Sequence, residues 1–242
     1  MDREQYEIMY RVEQTHWWYR GMRRNTRALL RRYLERGRSY AILDAGCGTG
    51  GTTQDLAEFG PVIGLDYSDE ALGFAASRGL KRLVRGSVEQ IPFPDRMFDV
   101  VTSFDVLYHR AVVDERAALA EFRRVLRPGG YALVRIPAFD WLRGAHDVVI
   151  HTERRMTVGQ LADRMQEAGF AISYASYANS LLFPMALAKR LVDRFLPSSP
   201  ADLDVPPGPV NWAFEMALAL EAPFAHRVGL PVGLSTVVLG RA

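Results

Sequence analysis

An apolar segment that runs into three alternating glycines constrains the fold of this chain more than any other feature. Residues 40–50 read Tyr-Ala-Ile-Leu-Asp-Ala-Gly-Cys-Gly-Thr-Gly. This pattern predicts a short strand, a tight turn and then a helix. Because Gly46, Gly48 and Gly50 have no Cβ, the backbone can curl and approach a ligand closely, and the next helix presents unpaired N–H groups at its N-terminus. A small molecule is therefore expected to lie against this turn.

Further strands alternate with helices after the glycine turn. We predict a helix at residues 51–59 and strands at residues 61–66, 82–85, 98–103 and 131–136. The second strand ends at Asp66, about twenty residues past the glycines, where a carboxylate suits the two hydroxyls of a ribose. The alternation predicts a mostly parallel sheet with helices on both faces.

The glycine turn differs from the Gly-x-Gly-x-x-Gly turn that binds dinucleotides. Its Asp-x-Gly-x-Gly-x-Gly form, at residues 44–50, resembles motif I of the class I S-adenosylmethionine-dependent methyltransferases, in particular the small-molecule methyltransferases of type 11. The segments around Asp66 and Ser87 and the Leu-Arg-Pro-Gly-Gly turn at residues 126–130 resemble later motifs of this family, in the same order. The resemblance implies an α/β, Rossmann-like sheet of seven strands, mostly parallel with an antiparallel last strand, with helices on both faces and a helical cap.

The same resemblance implies that S-adenosylmethionine is the cofactor and S-adenosylhomocysteine its product. Tyr67 is expected to lie along the adenine ring. Ser87 stands where many family members have an aspartate that accepts from the adenine amino group, and Glu89 is either a substitute acceptor or a solvated loop charge. The predicted cofactor-binding residues are Asp44, Gly46, Cys47, Gly48, Asp66, Tyr67, Ser87, Val88, Glu89 and Phe104, with Tyr19 and Arg23 from the N-terminal segment.

An aromatic segment near the N-terminus is a candidate lid. Four ring residues in a row, His16, Trp17, Trp18 and Tyr19, cannot all face one core, because neighbours on a helix point about 100° apart. Some rings are therefore expected to face a ligand, and we place the first three against the substrate. The alternative is that the rings pack between the first helix and the sheet. Similar segments in these methyltransferases fold over the methionine end of the cofactor, which implies that Arg23 meets its carboxylate.

A histidine follows the fourth predicted strand, where the sheet of this family opens toward the transferred methyl group. Imidazole titrates near neutrality, so His109 is the leading candidate for a general base, and Tyr108 is placed to orient the acceptor. A purely structural histidine is the alternative. His146 and His151, in the loop after the fifth strand, are predicted substrate contacts or alternative bases. Carboxylates stand near them, but no helix face shows a metal-binding spacing, so we predict no metal site.

A long insertion precedes the last predicted strand. The chain ends in a predicted helix and two strands, at residues 157–168, 170–177 and 235–240. In the family the last two strands meet in a near-direct hairpin at the cofactor face, so the insertion at residues 181–230 is expected to emerge there as two apolar helices. With the loop at residues 138–156 it is the predicted substrate cap, and Phe183 and Trp212 are its predicted substrate contacts. The alternatives are simple packing on the domain and docking on a membrane surface.

The composition fits one domain over residues 1–242, in which residues 1–36 form the lid and first helix. Of the 242 residues, 48% are hydrophobic and 24% are charged, which is enough for a sizeable core. Cys47 is the only cysteine, so no intramolecular disulfide can form. The N-terminus lacks a signal-peptide pattern and no apolar run approaches a membrane span, so we predict a cytoplasmic protein that is not integral to a membrane.

Arginines crowd residues 20–38, although the formal net charge is only +2. Such a run is one mark of a nucleic-acid footprint. Apolar residues recur among the arginines at helical spacing, however, which favours the solvated face of a helix packed on the sheet. We therefore predict no nucleic-acid partner.

Together the motifs predict S-adenosylmethionine-dependent methyl transfer to a hydrophobic small-molecule acceptor, with O- or N-methylation favoured and C-methylation also allowed. The alternative is a protein of this fold that keeps the cofactor but catalyses a non-methylating reaction such as cyclisation, or that only binds a ligand. The motifs leave the identity of the acceptor and the oligomeric state open.

Overall fold

The computed structural model describes residues 3–144, 152–193 and 205–242. Two helices precede the first strand, and strands and helices then alternate. The strands are β1 (Ile42–Ala45), β2 (Val62–Asp66), β3 (Leu83–Arg85), β4 (Phe98–Phe104), β5 (Leu126–Pro137), β6 (Ala171–Ala178) and β7 (Ser235–Arg241). The helices are α1 (Arg3–Val12), α2 (Trp17–Tyr33), α3 (Gly51–Leu56), α4 (Asp69–Ser77), α5 (Glu115–Val125), α6 (Val158–Glu167), α7 (Phe183–Asp193) and α8 (Gly208–Val228), with a short 3₁₀ turn at Asp140–Leu142.

The strands form one sheet in the order β3-β2-β1-β4-β5-β7-β6. Strand β1 is parallel to β2 and β4, β2 is parallel to β3, and β4 is parallel to β5. Strand β7 runs antiparallel between β5 and β6. The predicted fold, a Rossmann-like and mostly parallel sheet with an antiparallel last strand, is thus confirmed. The strand order reverses between β1 and β4, and this is where open sheets of this kind form a crevice at the carboxyl ends of their strands.

Neighbouring residues along a strand point to opposite faces of the sheet, and helices bury both faces. On one face, Leu43 and Val101 belong to an apolar cluster that includes residues of α5 and α6. On the other, Ile42 and Val100 belong to a second cluster that includes residues of α2 and α8. The strands therefore read as continuous apolar runs, and the sheet is fixed between two layers of helices.

Helix α8 packs on α2 and not over the carboxyl ends of the strands, which corrects the predicted position of this half of the cap. Leu218 of α8 is buried in the second cluster, and its side chain lies against Gly21 of α2. The carboxylate of Glu215 forms one ion pair with Arg20, at 3.1 Å, and one with Arg24, at 2.8 Å. The apolar face of α8 is thus used to complete the core, and α7 alone is left as the described helical part of a cap.

Gly21→Ala is expected to lower the free energy of unfolding by about 1–3 kcal/mol, the usual cost of overpacking a close contact. A Cβ at this position would lie 2.3 Å from Leu218 Cδ1 and 2.9 Å from its Cβ. Helix propensity alone predicts the opposite sign, a gain of about 1 kcal/mol when glycine inside a helix becomes alanine. Urea unfolding of the variant therefore decides whether α8 is part of the core.

Gly73→Ala is the matched control, because Gly73 lies inside α4 and a Cβ there would meet nothing within 4 Å. This variant is expected to gain about 0.5–1 kcal/mol. Equal gains from both substitutions would mean that α8 does not pack on α2 in solution.

The arginine run of α2 and the residues after it lie beside acidic side chains. Arg23 lies 3.1 Å from Asp55, and Arg31 lies 2.6 Å from Glu58. The Arg31 pair fits a helix face at the protein surface, whereas Arg23 is buried. The absence of a nucleic-acid partner stays a prediction. Among the residues that the structure describes, no helix is long and apolar enough to cross a membrane.

Some boundaries differ from those predicted. Helix α3 ends at Leu56, three residues early, in a short turn that leads to β2. Strand β5 begins at Leu126, directly after α5, and includes the predicted Pro-Gly-Gly turn, where Gly129 has φ +81° and the pairing with β4 is irregular. Helix α8 begins at Gly208 with a proline in its first turn, a position where proline is readily accepted.

Candidate active site

One cavity of about 1020 Å³ opens at the carboxyl ends of β1, β2 and β4. Its lining comes from the loops that follow these strands, from α1 and the start of α2, and from α7. The structure brings most of the predicted site residues to this cavity, namely Asp44, Gly46, Cys47, Gly48, Asp66, Tyr67, Ser87, Val88, Phe104, Tyr108 and His109, together with His16, Trp17, Trp18 and Tyr19. Such a volume lies at the upper end of the usual range for ligand sites, so it has room for a cofactor and a second molecule.

Asp66 joins the glycine turn to the end of β2. Its carboxylate oxygens accept the backbone N–H of Gly48 at 2.9 Å and of Ser68 at 3.0 Å. Burial raises the pKa of Asp66, although backbone hydrogen bonds counteract this effect. A carboxylate has about four lone-pair sites, so sites remain for hydroxyl groups of a ligand. Beside it, the ring of Tyr67 is 66% exposed and lines the cavity.

Gly46 shows why the turn after β1 needs glycine. Its φ is +87°, and a Cβ there would lie 2.2 Å from Cγ2 of Val106, in the loop after β4. The two loops therefore meet at van der Waals distance, which narrows the cavity between β1 and β4. The thiol of Cys47 is buried, and burial raises its pKa well above the ordinary value, so it is a packing group and not a thiolate nucleophile.

Asp44 is a buried carboxylate at the end of β1, with only 2% of its surface exposed. It accepts hydroxyl hydrogen bonds from Thr53 at 2.6 Å and Thr102 at 2.8 Å. Burial raises its pKa to about 6, and the two threonine hydroxyls oppose that rise. The side chain therefore changes charge in a mildly acidic range.

The free energy of unfolding is expected to fall as the pH rises from about 4 to about 6, by up to about 1.4 kcal/mol per pH unit from Asp44. In that window folded Asp44 still holds its proton, because its pKa is about 6. The same carboxyl in the unfolded chain has already lost the proton, since its pKa is about 3.9. Raising the pH therefore favours unfolding, and urea unfolding at several pH values measures the slope.

Asp44→Asn is the variant that isolates this contribution. An amide keeps the shape of the side chain, and both threonine hydroxyls can donate or accept, so the hydrogen bonds survive without a titrating group. Between pH 4 and 6, the free energy of unfolding of the variant should fall less steeply with pH. The change in slope should correspond to about one bound proton. An unchanged slope would mean that Asp44 titrates normally in the folded protein.

Helix α1 and the residue that follows it line the cavity within the predicted lid region, residues 1–36, although none of their side chains is among the predicted site residues. Tyr6, Met9 and Glu13 line the cavity from successive turns. The carboxylate of Glu13 is buried, accepts a hydrogen bond from the hydroxyl of Thr49 and forms an ion pair with Arg78. Burial raises the pKa of Glu13. Glu13 follows Tyr6 by seven residues and Met9 by four, which is the spacing of one helix face. This spacing was the sequence signal that the three side chains lie on the same side of α1.

A buried ion pair lies where β4 and β5 end. Arg135 donates to Oδ2 of Asp105 from Nε at 3.0 Å and from Nη2 at 2.6 Å. The guanidinium also lies over the rings of Trp18 and Phe104, 5.1 and 4.9 Å from their centroids. We call this group the arginine sandwich; all four residues line the cavity. The ion pair joins the ends of β4 and β5, and the contact of the guanidinium with the Trp18 ring connects them to the aromatic segment at the start of α2. A lone arginine in an apolar strand was the signal for it.

The histidines of the cavity have their Nδ1 atoms engaged. Nδ1 of His109 accepts the backbone N–H of Ala111 at 3.0 Å, and Nδ1 of His16 accepts that of Trp18 at 3.2 Å. An accepting Nδ1 places the single proton of a neutral imidazole on Nε2. Burial also lowers the pKa of His16. In this arrangement Nδ1 of His109 can act as a base only after its hydrogen bond with the N–H of Ala111 is broken.

Tyrosines beside the histidines are placed to orient a ligand. Tyr108 is buried and lines the cavity, and its carbonyl oxygen accepts the N–H of Glu153 at 2.9 Å. Tyr19 also lines it, and burial, with the nearby charges of Glu13 and Asp105, raises the pKa of Tyr19 so far that its hydroxyl stays neutral. Both hydroxyls can therefore donate or accept a hydrogen bond.

Among the predicted site residues that the structure describes, four do not line the cavity. Arg23 is buried against α1 and α3, where it donates to the carbonyl oxygen of Glu13 at 2.7 Å and pairs with Asp55, so it is not placed to meet a ligand carboxylate. Glu89 accepts the backbone N–H of Asp114 at 2.8 Å, just before α5. These corrections have one cause, since each side chain satisfies a local polar group instead of a ligand.

The other two are cap residues. Trp212 is 63% exposed on α8, away from the cavity. Phe183 begins α7 but packs against the rings of Phe139 and Trp141, each about 6.1 Å away. The next residues of α7 supply the cavity lining instead. His146 and His151 lie outside the described residues. Within the described ranges, no group of three or more His, Cys, Asp or Glu side chains is arranged to hold a metal ion.

The chain matches known proteins over its central part. Residues 43–134 match the model of a methyltransferase domain family. A probable S-adenosylmethionine-dependent methyltransferase of Mycolicibacterium smegmatis is 30% identical over 166 residues, which cover 66% of this chain and 62% of that protein. A fatty-acid O-methyltransferase of the same organism is 41% identical over 101 residues, which cover 38% of this chain and 35% of that protein. The matches thus span less than two thirds of these relatives.

The crystal structure of the [4+2]-cyclase SpnF has a similar fold, with a TM-score of 0.57 and 23% identity over 90% of this chain and 80% of that one. At this identity the likeness concerns the fold alone. The order of the strands, the glycine turn after β1 and the matched domain at residues 43–134 agree with one another. Residues 43–134 thus match a methyltransferase domain, and this match, the relatives and the fold support a class I S-adenosylmethionine-dependent methyltransferase.

Proposed function

We propose that this protein transfers a methyl group from S-adenosylmethionine to a hydrophobic small-molecule acceptor, with O- or N-methylation favoured. The observation that carries the proposal is one continuous cavity, which runs from the glycine turn after β1 to the apolar residues of α7. When bound, S-adenosylmethionine supplies a methyl group on a positively charged sulfur, and an acceptor lone pair takes that methyl while the carbon–sulfur electron pair stays on sulfur. The protein's task is to hold and desolvate the acceptor in line with this bond.

The residues around the glycine turn fit the cofactor. Asp66 has lone-pair sites for ribose hydroxyls, and the exposed ring of Tyr67 is free to lie along an adenine. Ser87 and Val88 line the same end of the cavity. At the glycine turn, the buried carboxylates of Asp44 and Glu13 favour a ligand with positive charge, as the ammonium and sulfonium groups of this cofactor provide. These are the contacts that we assign to cofactor binding.

The hydrogen bonds of the histidines favour an acceptor that needs no base. Nδ1 of His109 and of His16 already accept backbone N–H groups, and Asp105 is paired with Arg135. A carboxylate, a phenolate or a neutral amine can use its lone pair without losing a proton in the transfer step. Such an acceptor needs only to be positioned, which the side chains of Tyr108 and His109 in the cavity lining can do.

His109→Ala is expected to lower kcat by less than about tenfold, because a hydrogen bond that positions the acceptor is lost but no proton transfer is. A general base would contribute about a hundredfold or more. Single-turnover rates measured from pH 5 to pH 9 distinguish the two roles. A loss above a hundredfold, together with the loss of a rate limb near neutral pH, would assign the base role to His109 after all.

The test of the function is incubation of the protein with cofactor and a panel of apolar carboxylates, phenols and amines. Products are followed by mass spectrometry, and transfer adds one CH₂ unit to an acceptor. The second candidate function is a non-methylating reaction such as cyclisation, which the likeness in fold to a cyclase and the engaged histidines favour. Tight binding of S-adenosylhomocysteine with no mass gain in any acceptor would support that candidate against ours.

A further inference from the structure

The order of the strands divides the cavity into two halves. The loops after β1, β2 and β3, with α1, line the half that we assign to the cofactor, and the loops after β4 and β5, with α7 and the start of β7, line the other half. We call the second half the acceptor half. The halves meet between the glycine turn and Val106, where the loops touch.

The two halves carry opposite charges. The acidic residues that line the cofactor half are Glu13, Asp44, Asp66, Asp69 and Glu70. The described lining of this half contains one basic residue, Arg85, which pairs with Asp69 at 3.0 Å. The described lining of the acceptor half contains one carboxylate, Asp105, which pairs with Arg135. Its other charged residues are four cations, namely Arg110, Arg155, Lys189 and Arg190. This asymmetry means that the acceptor half favours a ligand of negative charge.

Separate segments bring these cations to one place. Arg110 follows His109, whose backbone pairs with Thr152 in the segment that leads to Arg155. Arg155 donates to the carbonyl oxygen of Ala138 at 2.9 Å, just after β5. Arg190 of α7 lies so close to Gly144 that a Cβ there would collide with its guanidinium. The loops after β4 and β5 and the end of α7 therefore meet around the same part of the cavity.

Helix α7 combines apolar and cationic residues on the face that lines the cavity. Its lining residues are Leu182, just before the helix, and Met185, Ala186, Lys189 and Arg190 within it. Their spacing of three, four, seven and eight residues is that of one helix face. The cations stand in the last two turns, where they also suit the negative end of the helix dipole. The helix dipole explains why Lys189 and Arg190 lie near the end of α7. It does not explain why they share a helix face with the apolar residues that line the cavity.

We propose that the acceptor is an amphipathic anion, with a carboxylate or phosphate group held by Arg110, Arg155, Lys189 and Arg190 and an apolar body that lies on Leu182 and Met185. The proposal rests on the proposed function and names the class of its substrate. Charge-assisted hydrogen bonds to a carboxylate or phosphate are stronger than neutral ones, and the apolar residues of α7 add affinity in proportion to the area they cover. A neutral alcohol with the same apolar body lacks the charge-assisted contacts, and a cation is repelled by the four basic side chains.

The test is calorimetric titration of the full chain, loaded with S-adenosylhomocysteine, with four decyl compounds below their micelle concentrations. These are decanoate, decyl phosphate, decanol and decyltrimethylammonium. Both anions are expected to bind one site at least about tenfold more tightly than decanol, since a hydrogen bond to a charged group is worth about that factor. Octanoate should bind more weakly than decanoate by about fourfold for each methylene group removed. The stronger anion of the pair identifies the head group.

Lys189→Gln and Arg110→Gln are the diagnostic variants, one in α7 and one in the loop after β4. Each should lower the affinity for decanoate or decyl phosphate about tenfold and leave that for decanol within about twofold. Lys81→Gln is the control, since Lys81 is exposed outside the cavity, and it should change neither value. Retained anion binding in both variants, or decanol binding as tight as decanoate, would overturn the proposal.

The titration contains no methyl donor, so it separates this proposal from the proposed function. Selective binding of the anions without methyl transfer to any acceptor would leave the substrate class intact and reject the activity. Methyl transfer to decanol or decylamine at the rate of decanoate would leave the activity intact and reject the substrate class.

Discussion

Asp66→Ala is expected to weaken the binding of S-adenosylmethionine and S-adenosylhomocysteine about a hundredfold, which corresponds to about 2.7 kcal/mol. The carboxylate lies at the end of β2, lines the cavity and keeps lone-pair sites beside those used by Gly48 and Ser68. A hydrogen bond from a hydroxyl to a carboxylate is worth about 1.5–3 kcal/mol, and a ribose offers two hydroxyls. Calorimetric titration with S-adenosylhomocysteine measures the loss.

Asp69→Ala is the control for charge at the same end of the cavity. Asp69 lines the cavity too, but its side chain is exposed and pairs with Arg85, so its removal should change the affinity by no more than a few fold. Urea unfolding of both variants shows whether the glycine turn is still held in the absence of the Asp66 carboxylate. Unchanged cofactor affinity in folded Asp66→Ala would remove Asp66 from the site.

Local patterns were sufficient to predict the fold and to bring together the segments that line the half of the cavity that we assign to the cofactor. The apolar run before Asp44, the glycines after it and the acidic end of β2 all lie within about thirty residues. In an open parallel sheet the ends of neighbouring strands meet at one edge, so these short segments determine where the cofactor half lies. The pairing of β1 with β2 and β4 is then enough to bring these segments together at one edge of the sheet.

The acceptor half depends on contacts between distant segments, and the sequence did not specify them. Helix α8 and helix α7 are both apolar, yet α8 completes the core against Gly21 while α7 lines the cavity. Arg23 was a reasonable ligand for a carboxylate until the fold placed Asp55 beside it. Periodicity shows which face of a helix is apolar, but not which surface will cover it. Such residues are assigned only once the helices are placed.

Asp105→Ala is expected to lower the free energy of unfolding by about 3–5 kcal/mol, because it leaves the charge of Arg135 buried without its partner. Only 7% of the Arg135 side chain is exposed, and two of its N–H groups donate to Asp105. Asp105 also has φ +58°, a conformation that alanine adopts less readily than aspartate or asparagine. The loss should appear in urea unfolding as a lower midpoint with an unchanged slope.

Two further variants separate the charge from the backbone. Asp105→Asn keeps the backbone preference and one acceptor for Arg135, so its loss should be smaller than that of the alanine variant. Adding Arg135→Met to Asp105→Asn removes the buried charge and places a thioether between the rings of Trp18 and Phe104, where sulfur packs well. The double variant should therefore recover most of the lost stability. If Asp105→Ala loses less than about 1 kcal/mol, the arginine sandwich does not tie the start of α2 to β4 in solution.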